Sequence, residues 1–353
     1  MDMERSMDTN LKRGKKIVIC CDGTGNEYGK NNTNVVKLFD MVVKDPRKQI
    51  AFYDPGVGTS GAPGAWSKAA KVYTKILGLA FSYGITKNIE DAYEYLMDKY
   101  EEGDTVYLFG FSRGAYTVRA LAGMLYKCGL LQKGSNNLIP YASRMYRKGS
   151  PAVAAGFKQT FSRVCKPHFI GVWDTVKSVG LFIPRKFPDT QLNPDVENGF
   201  HALSIDEKRI KFKPNLWNKA VGPKQTIEQV WFTGVHSDVG GGYEEDVLSN
   251  ITFLWMIDKV LPYGLHLDDT KYKNLADKVD KPDKRKDKLH NSLLPIYWIL
   301  GWKRRKIIDK QKYEIPSIHE SVYKRIKDND DGYNPKNLPS KDNVKIVRES
   351  QYS

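Results

Sequence analysis

The sequence predicts an open α/β fold, with a mostly parallel central sheet and helices on both faces. Three observations carry that expectation. Five short runs rich in β-branched or aromatic residues are apolar almost throughout, as strands buried on both faces of a parallel sheet are. Segments of helical period lie between them, and strands alternating with helices argue for parallel pairing. Each run ends in a polar residue or a Gly-rich turn, and in such sheets ligands bind beyond the carboxyl ends of the strands.

The first run, "IVICCDGTGN" (17–26), ends at Asp22. A helix is expected over 33–44, behind an Asn/Thr cap. "IAFYDPGVGT" (50–59) ends at Asp54, and a helix carrying Ile85, Ile89, Ala92 and Leu96 on one face follows, stopped by "EEGD". "VYLFGFSRG" (106–114) passes straight into the helical "AYTVRALAGML". "FIGVWDTV" (169–176) ends at Asp174. "GFHALSIDEKR" reads as helical and gives His201 a structural place, and "VWFTGVHSDVGGGY" (230–243) ends at His236 in a flexible turn.

At 353 residues, 41% hydrophobic and 12% aromatic, the chain can bury a large core and is neither disordered nor fibrous. Cys20, Cys21, Cys128 and Cys165 form no CxxC pair and sit in apolar runs, so reduced core thiols are expected rather than a disulfide frame or a zinc site. No apolar leader follows the polar "MDMERSMDTNLKRGKK", and the apolar stretch at 293–302 is too short and Pro-interrupted to span a bilayer, so cytoplasmic synthesis is expected, with delivery outside the cell or a peripheral place on a membrane both compatible with it. The formal charge of +15 suits an anionic partner, although lysine-rich segments such as "KVDKPDKRKDK" also read as solvated faces. That run mixes Asp with Lys and lacks interleaved aromatics, so no nucleic-acid partner is expected.

Gly110-Phe111-Ser112-Arg113-Gly114 matches G-x-S-x-G, with a strand before it and a helix after it. In such an elbow the serine takes a strained conformation and the flanking glycines give clearance. The Arg113 amide at the helix N-terminus would then face a developing oxyanion. Of the six histidines, His236 ends an apolar strand and is the expected base, with His319 in "PSIHESVYKR" its rival. Asp174 is the expected orienting acid and Asp238 the alternative. Ser112, Asp174 and His236 follow the nucleophile, acid, base order of α/β-hydrolases.

A second oxyanion donor is expected from the backbone of Gly23 or Thr24 in "CDGTGN". The same loop resembles a phosphate loop but fails the pattern G-x-x-x-x-G-K-[ST]: Thr24 stands at the first Gly position demanded by Gly29-Lys30, and Asn31 follows. A nucleotide or phosphate hydrolase using Asp22, and a catalytically idle binding module for anionic surfaces, are the alternative readings. Near the basic segment, Ile296, Tyr297, Trp298 and Trp302 form an amphipathic patch suited either to a headgroup region or to packing on the core.

"IVICCDGTGN", "NNTNVVKLF", "FYDPGVGT", "LFGFSRGAYTVRALAGML", "GVWDTVKSVG", "HALSIDE", "VWFTGVHSDVGGGY", "IHESV" and "YNPKNLP" together resemble the α/β-hydrolase-like domain family that includes the first class of type VI secretion lipase effectors. The resemblance runs over 15–339. It implies a serine esterase of phospholipase type, with Ser112, Asp174 and His236 on the matching positions. The expected substrate is a lipid ester, with contact to an anionic membrane and no metal or organic cofactor. The expected organisation is a flexible N-terminus at 1–14, an α/β-hydrolase catalytic core at 15–262, and a basic C-terminal extension at 263–353 that packs on or caps the core.

Overall fold

The computed structural model describes residues 14–23, 28–56, 69–176, 191–220, 222–293, 301–309, 315–328 and 331–348. In chain order its elements are β1 (Lys16–Cys21), α1 (Asn34–Met41), β2 (Gln49–Asp54), α2 (Ala69–Lys99), β3 (Thr105–Phe111), α3 (Arg113–Cys128), β4 (Leu130–Leu131), α4 (Ile139–Lys148), α5 (Pro151–Phe161), β5 (Ser162–Arg163), β6 (Pro167–Trp173), β7 (Asn198–Ser204), β8 (Thr226–Phe232), α6 (His236–Gly240), α7 (Val247–Val260), α8 (Asp269–Asp280), β9 (Ser317–His319), α9 (Glu320–Asp328) and β10 (Lys345–Val347).

Eight strands form one sheet in the order β10-β9-β8-β7-β6-β3-β1-β2, and every pair in it is parallel. The chain runs from β1 outward to β2, then returns to β3 on the other side of β1. That reversal between β1 and β3 is the topological switch point, where sheets of this kind open a crevice for ligands. Side chains alternate across the sheet. Ile17, Ile19, Val106 and Leu108 pack under α2 to α5 with Leu96, Val118 and Leu121. Val18, Cys20, Tyr107 and Phe109 pack under α1, α7 and α8 with Leu38, Phe253 and Leu275.

The helix expected over 33–44 is α1, with Thr33 as N-cap accepting from the Val36 amide. Ile85, Ile89, Ala92 and Leu96 are buried on α2. All four cysteines are buried and free. "GFHALS", read above as helical, is strand β7, buried at every position. As a central strand it needs apolar groups on both faces, which erases the period-two signal. From the stretch beyond 262 come α8, α9 and the strands β9 and β10, so this part of the chain lengthens the sheet itself. Leu203, Trp231, Ile307, Ile318 and Val322 form a third apolar cluster there.

Candidate active site

Ser112 stands between β3 and α3 with φ 56° and ψ −115°, a conformation disfavoured for a residue with a Cβ. The flanking glycines are sterically required. A Cβ on Gly114 would lie 1.9 Å from the Cys21 carbonyl oxygen, and one on Gly110 would lie 2.5 Å from the Gly114 carbonyl oxygen. The close approach of α3 to the end of β1 thus forces glycine at 114 and brings the start of the "DGTGN" loop beside the serine.

Asp174 follows β6, the next strand, and also takes a positive φ of 40°. Its amide donates to the Ala202 carbonyl at 2.8 Å, which pins the corner to β7. His236 opens α6, a short helix where a flexible turn was expected. Asn34 of α1 holds that helix by donating to the Val239 carbonyl at 3.0 Å, and Asp238 caps it by accepting from the Val235 amide at 2.9 Å.

These three residues meet. His236 Nε2 lies 2.8 Å from Ser112 Oγ, and His236 Nδ1 lies 2.6 Å from Asp174 Oδ2. The imidazole is packed by the rings of Phe111 at 4.7 Å and Phe212 at 5.0 Å. Asp174 is fully buried, which alone would raise its carboxyl. Arg305 and the hydrogen bond to His236 outweigh burial and hold it well below the usual carboxylate range. Ser204 adds two bonds, from its amide at 3.1 Å and its hydroxyl at 3.2 Å.

Arg305 was missed in the sequence. It lies in "WKRRKII", which reads as a solvated basic run, yet its Nη1 donates to Asp174 Oδ1 at 2.5 Å and its Nη2 to Asp174 Oδ2 at 3.0 Å. The sequence carried no period to mark it: Arg305 and Ile307 are buried while Arg304, Lys306 and Ile308 are exposed. Glu207, also missed, accepts from the His236 amide at 3.3 Å and from Arg209 at 2.9 and 2.8 Å. Despite burial, the Arg209 fork draws its carboxyl down to about 2.

The other candidates lie apart from this cluster. His319 is buried on β9, stacked on Phe232 at 4.6 Å with Nδ1 against Ser321 Oγ at 2.9 Å. Asp238 meets His290 Nδ1 at 2.6 Å, and Ser292 donates to Glu207 at 3.0 Å, so the segment after α8 is tied to the helix that carries His236. The Gly23 amide donates to Asp22 Oδ1 at 2.6 Å, and Asp22 Oδ2 accepts from Thr33 at 2.5 Å and Tyr53 at 3.2 Å. Asp54 receives the Gly56 amide at 2.7 Å. Both strand-end acids therefore anchor their own loops. Thr24, Ile296, Tyr297 and Trp298 lie outside the described residues. Among the described residues no helix is long and apolar enough to cross a membrane.

The family model for the catalytic domain of Tle1-like type VI secretion phospholipase effectors matches residues 15–259. The chain belongs to this Tle1-like family. Family membership makes it a relative of phospholipases, and hence of hydrolases. An uncharacterized protein of Saccharomyces cerevisiae is 37% identical to this Tle1-like chain over 231 residues, which is 60% of the chain and 34% of that protein. The match thus takes in about a third of that relative's length. Among solved structures, an uncharacterized protein from Pseudomonas aeruginosa aligns at 19% identity and a TM-score of 0.46, over 75% of this chain and 48% of the other. A Tle1 effector bound to the VgrG spike of the type 6 secretion system aligns at 20% identity and 0.38, over 66% and 52%.

Proposed function

We propose that the protein is a serine hydrolase of lipid carboxylic esters, a phospholipase that works through an acyl-Ser112 intermediate. The observation that carries this reading is the continuous hydrogen-bonded line from Ser112 Oγ through the His236 ring to Asp174. With Nδ1–H donated to Asp174, the lone pair of Nε2 faces the serine hydroxyl. His236 takes the Ser112 proton as Oγ attacks the ester carbon, and the oxyanion develops toward the Arg113 amide at the start of α3. Collapse expels the alcohol, which leaves with the proton from His236. A water then attacks the acyl-serine with His236 as base, and the carboxylic acid departs. Gly23 joins as second donor only by exchanging Asp22 for the oxyanion.

The preference for lipid rests on the family and on a surface beside the site. Segments 208–213 and 301–308 run side by side, with the Lys303 amide donating to the Lys208 carbonyl at 2.7 Å and an antiparallel bridge between Arg209 and Trp302. They expose Ile210 (47%), Trp302 (40%) and Ile308 (40%) amid Lys211, Lys213, Lys303, Arg304 and Lys306. Apolar tips within a cationic rim suit an anionic lipid interface. A fluorophosphonate probe tests the reading: it should attach to Ser112, and mass spectrometry of phospholipid digests should find a lysolipid and a fatty acid. A protein that resists the probe and yields neither product refutes it.

A further inference from the structure

On the premise that Ser112, Asp174 and His236 act as nucleophile, acid and base, we infer that Arg305 is a positioning residue that sets the charge His236 experiences, and with it the lower pH limit of the reaction. Arg305 comes from segment 301–309, outside the residues matched by the family model. Its side chain is 3% exposed. The guanidinium grips both oxygens of Asp174 and is itself fixed by Ser204 Oγ at 2.7 Å, the Ser204 carbonyl at 3.1 Å and the Phe212 carbonyl at 2.6 Å. Five bonds from two nitrogens leave it little freedom.

An orienting acid acts on its imidazole in two separable ways. It fixes the ring through a hydrogen bond, and its negative charge favours the protonated ring. The first needs a carboxylate held in place, and a bidentate guanidinium holds it. The second is weakened by the same contact, because a buried cation on the carboxylate cancels much of its field. The pair therefore keeps the geometry of a triad acid while presenting His236 with little net charge. Consequently the serine stays activatable further into the acid range than it would beside an unpaired buried carboxylate.

The remaining charged neighbours do not substitute for this contact. Glu207, after β7, reaches the His236 amide but is paired with Arg209. Asp238, within α6, is directed at the Val235 amide and at His290. His201, beside Asp174 on β7, accepts from the Thr175 amide and is pulled down to about 3 by burial and Arg119, so it carries no charge in the working range. Toward His236 itself, Phe111 and Phe212 present uncharged rings.

The test is the rate of Ser112 labelling by a fluorophosphonate as a function of pH, on the full chain and on Arg305→Gln and Arg305→Lys. Gln keeps a donor toward Asp174 without charge, and Lys keeps the charge without the fork. The acid limb of R305Q should move up by about one pH unit, while R305K keeps the wild-type limb and loses only rate. Arg305→Met provides a second neutral variant should R305Q fail to fold, and its limb should move the same way. Equal loss of rate in the neutral variants and R305K with every acid limb unmoved would show a purely structural arginine and overturn the inference. Failure of the wild-type chain to label at Ser112, or labelling without an acid limb, would instead remove the premise.

Discussion

Ser112 and Asp174, at the ends of neighbouring strands, are the two non-glycine residues with positive φ among the described residues. Each such conformation costs on the order of 1–3 kcal/mol, so the fold holds both side chains at the sheet edge against local preference. Glycine at 112 should relax that strain where alanine cannot. Ser112→Gly and Ser112→Ala should both abolish esterase turnover, while S112G exceeds S112A in urea-melt stability by about 1 kcal/mol. Turnover of S112A within tenfold of wild type would remove the serine from the mechanism.

His236→Ala should cost on the order of a thousandfold or more in kcat, because triad members act as a unit. His319→Ala should instead lower Tm with little change in kcat, since that ring fills space against Phe232. Steady-state kinetics beside thermal melts separate the two, and the reverse ranking would transfer the base to His319.

Asp174→Asn should lose far more turnover than Asp238→Asn, because an amide favours the wrong imidazole tautomer. Asp238 caps α6 and meets His290, so its substitution should cost about 1 kcal/mol of stability and leave kcat within a few fold. Comparable kinetic losses would mean that the two acids share the role.

Burial holds His201 and His319 neutral, each drawn down to about 3. The unfolded chain binds these protons near pH 6.5. Unfolding therefore takes up protons between pH 6.5 and 3, and stability should fall as pH falls through that window, by roughly 1 kcal/mol per pH unit for each ring. Urea melts from pH 7.5 to 5 would show the slope, and His319→Gln should flatten it. An unchanged slope in H319Q would assign the acid lability to other groups.

Replacing Ile210 and Trp302 together with Ser should depress activity on anionic vesicles while sparing a short soluble ester, and the wild-type vesicle activity should weaken as salt rises, because exposed charges are screened within about 10 Å at 0.1 M. Equal loss on both substrates, or indifference to salt and to lipid charge, would leave a small soluble ester as the substrate.

Much of the fold was legible because parallel strands buried on both faces announce themselves as apolar runs, and β1, β2, β3, β6 and β8 all did. β7 escaped since "FHALS" fits a helix face as readily as a central strand, and β9 and β10 are three residues each, too short to show a period. At the site, the elbow was readable because glycine is sterically compelled on both sides of Ser112. Arg305 was hidden because a lone inward arginine among outward lysines has no pattern of its own, and its partner is 131 residues away in the chain. Asp22 and Asp54 shared the position of site acids at strand ends, and only their partners, Thr33, Tyr53 and Gly56, reveal them as loop anchors.

The parallel order of the sheet has a consequence during synthesis. Ser112, Asp174 and His236 emerge from the ribosome in that order, but the guanidinium on Asp174 and the strands β9 and β10 arrive only afterwards. At roughly 5–20 residues per second, a nascent chain spends several seconds with the nucleophile, acid and base translated and the outer flank of the sheet absent. Throughout that interval the edge of β8 that will pair with β9 has no strand to cover it, and Asp174 lacks its Arg305 partner. A chaperone that shields this edge until the last strands dock would therefore protect the newborn chain from edge-to-edge pairing at the moment it is most exposed to it.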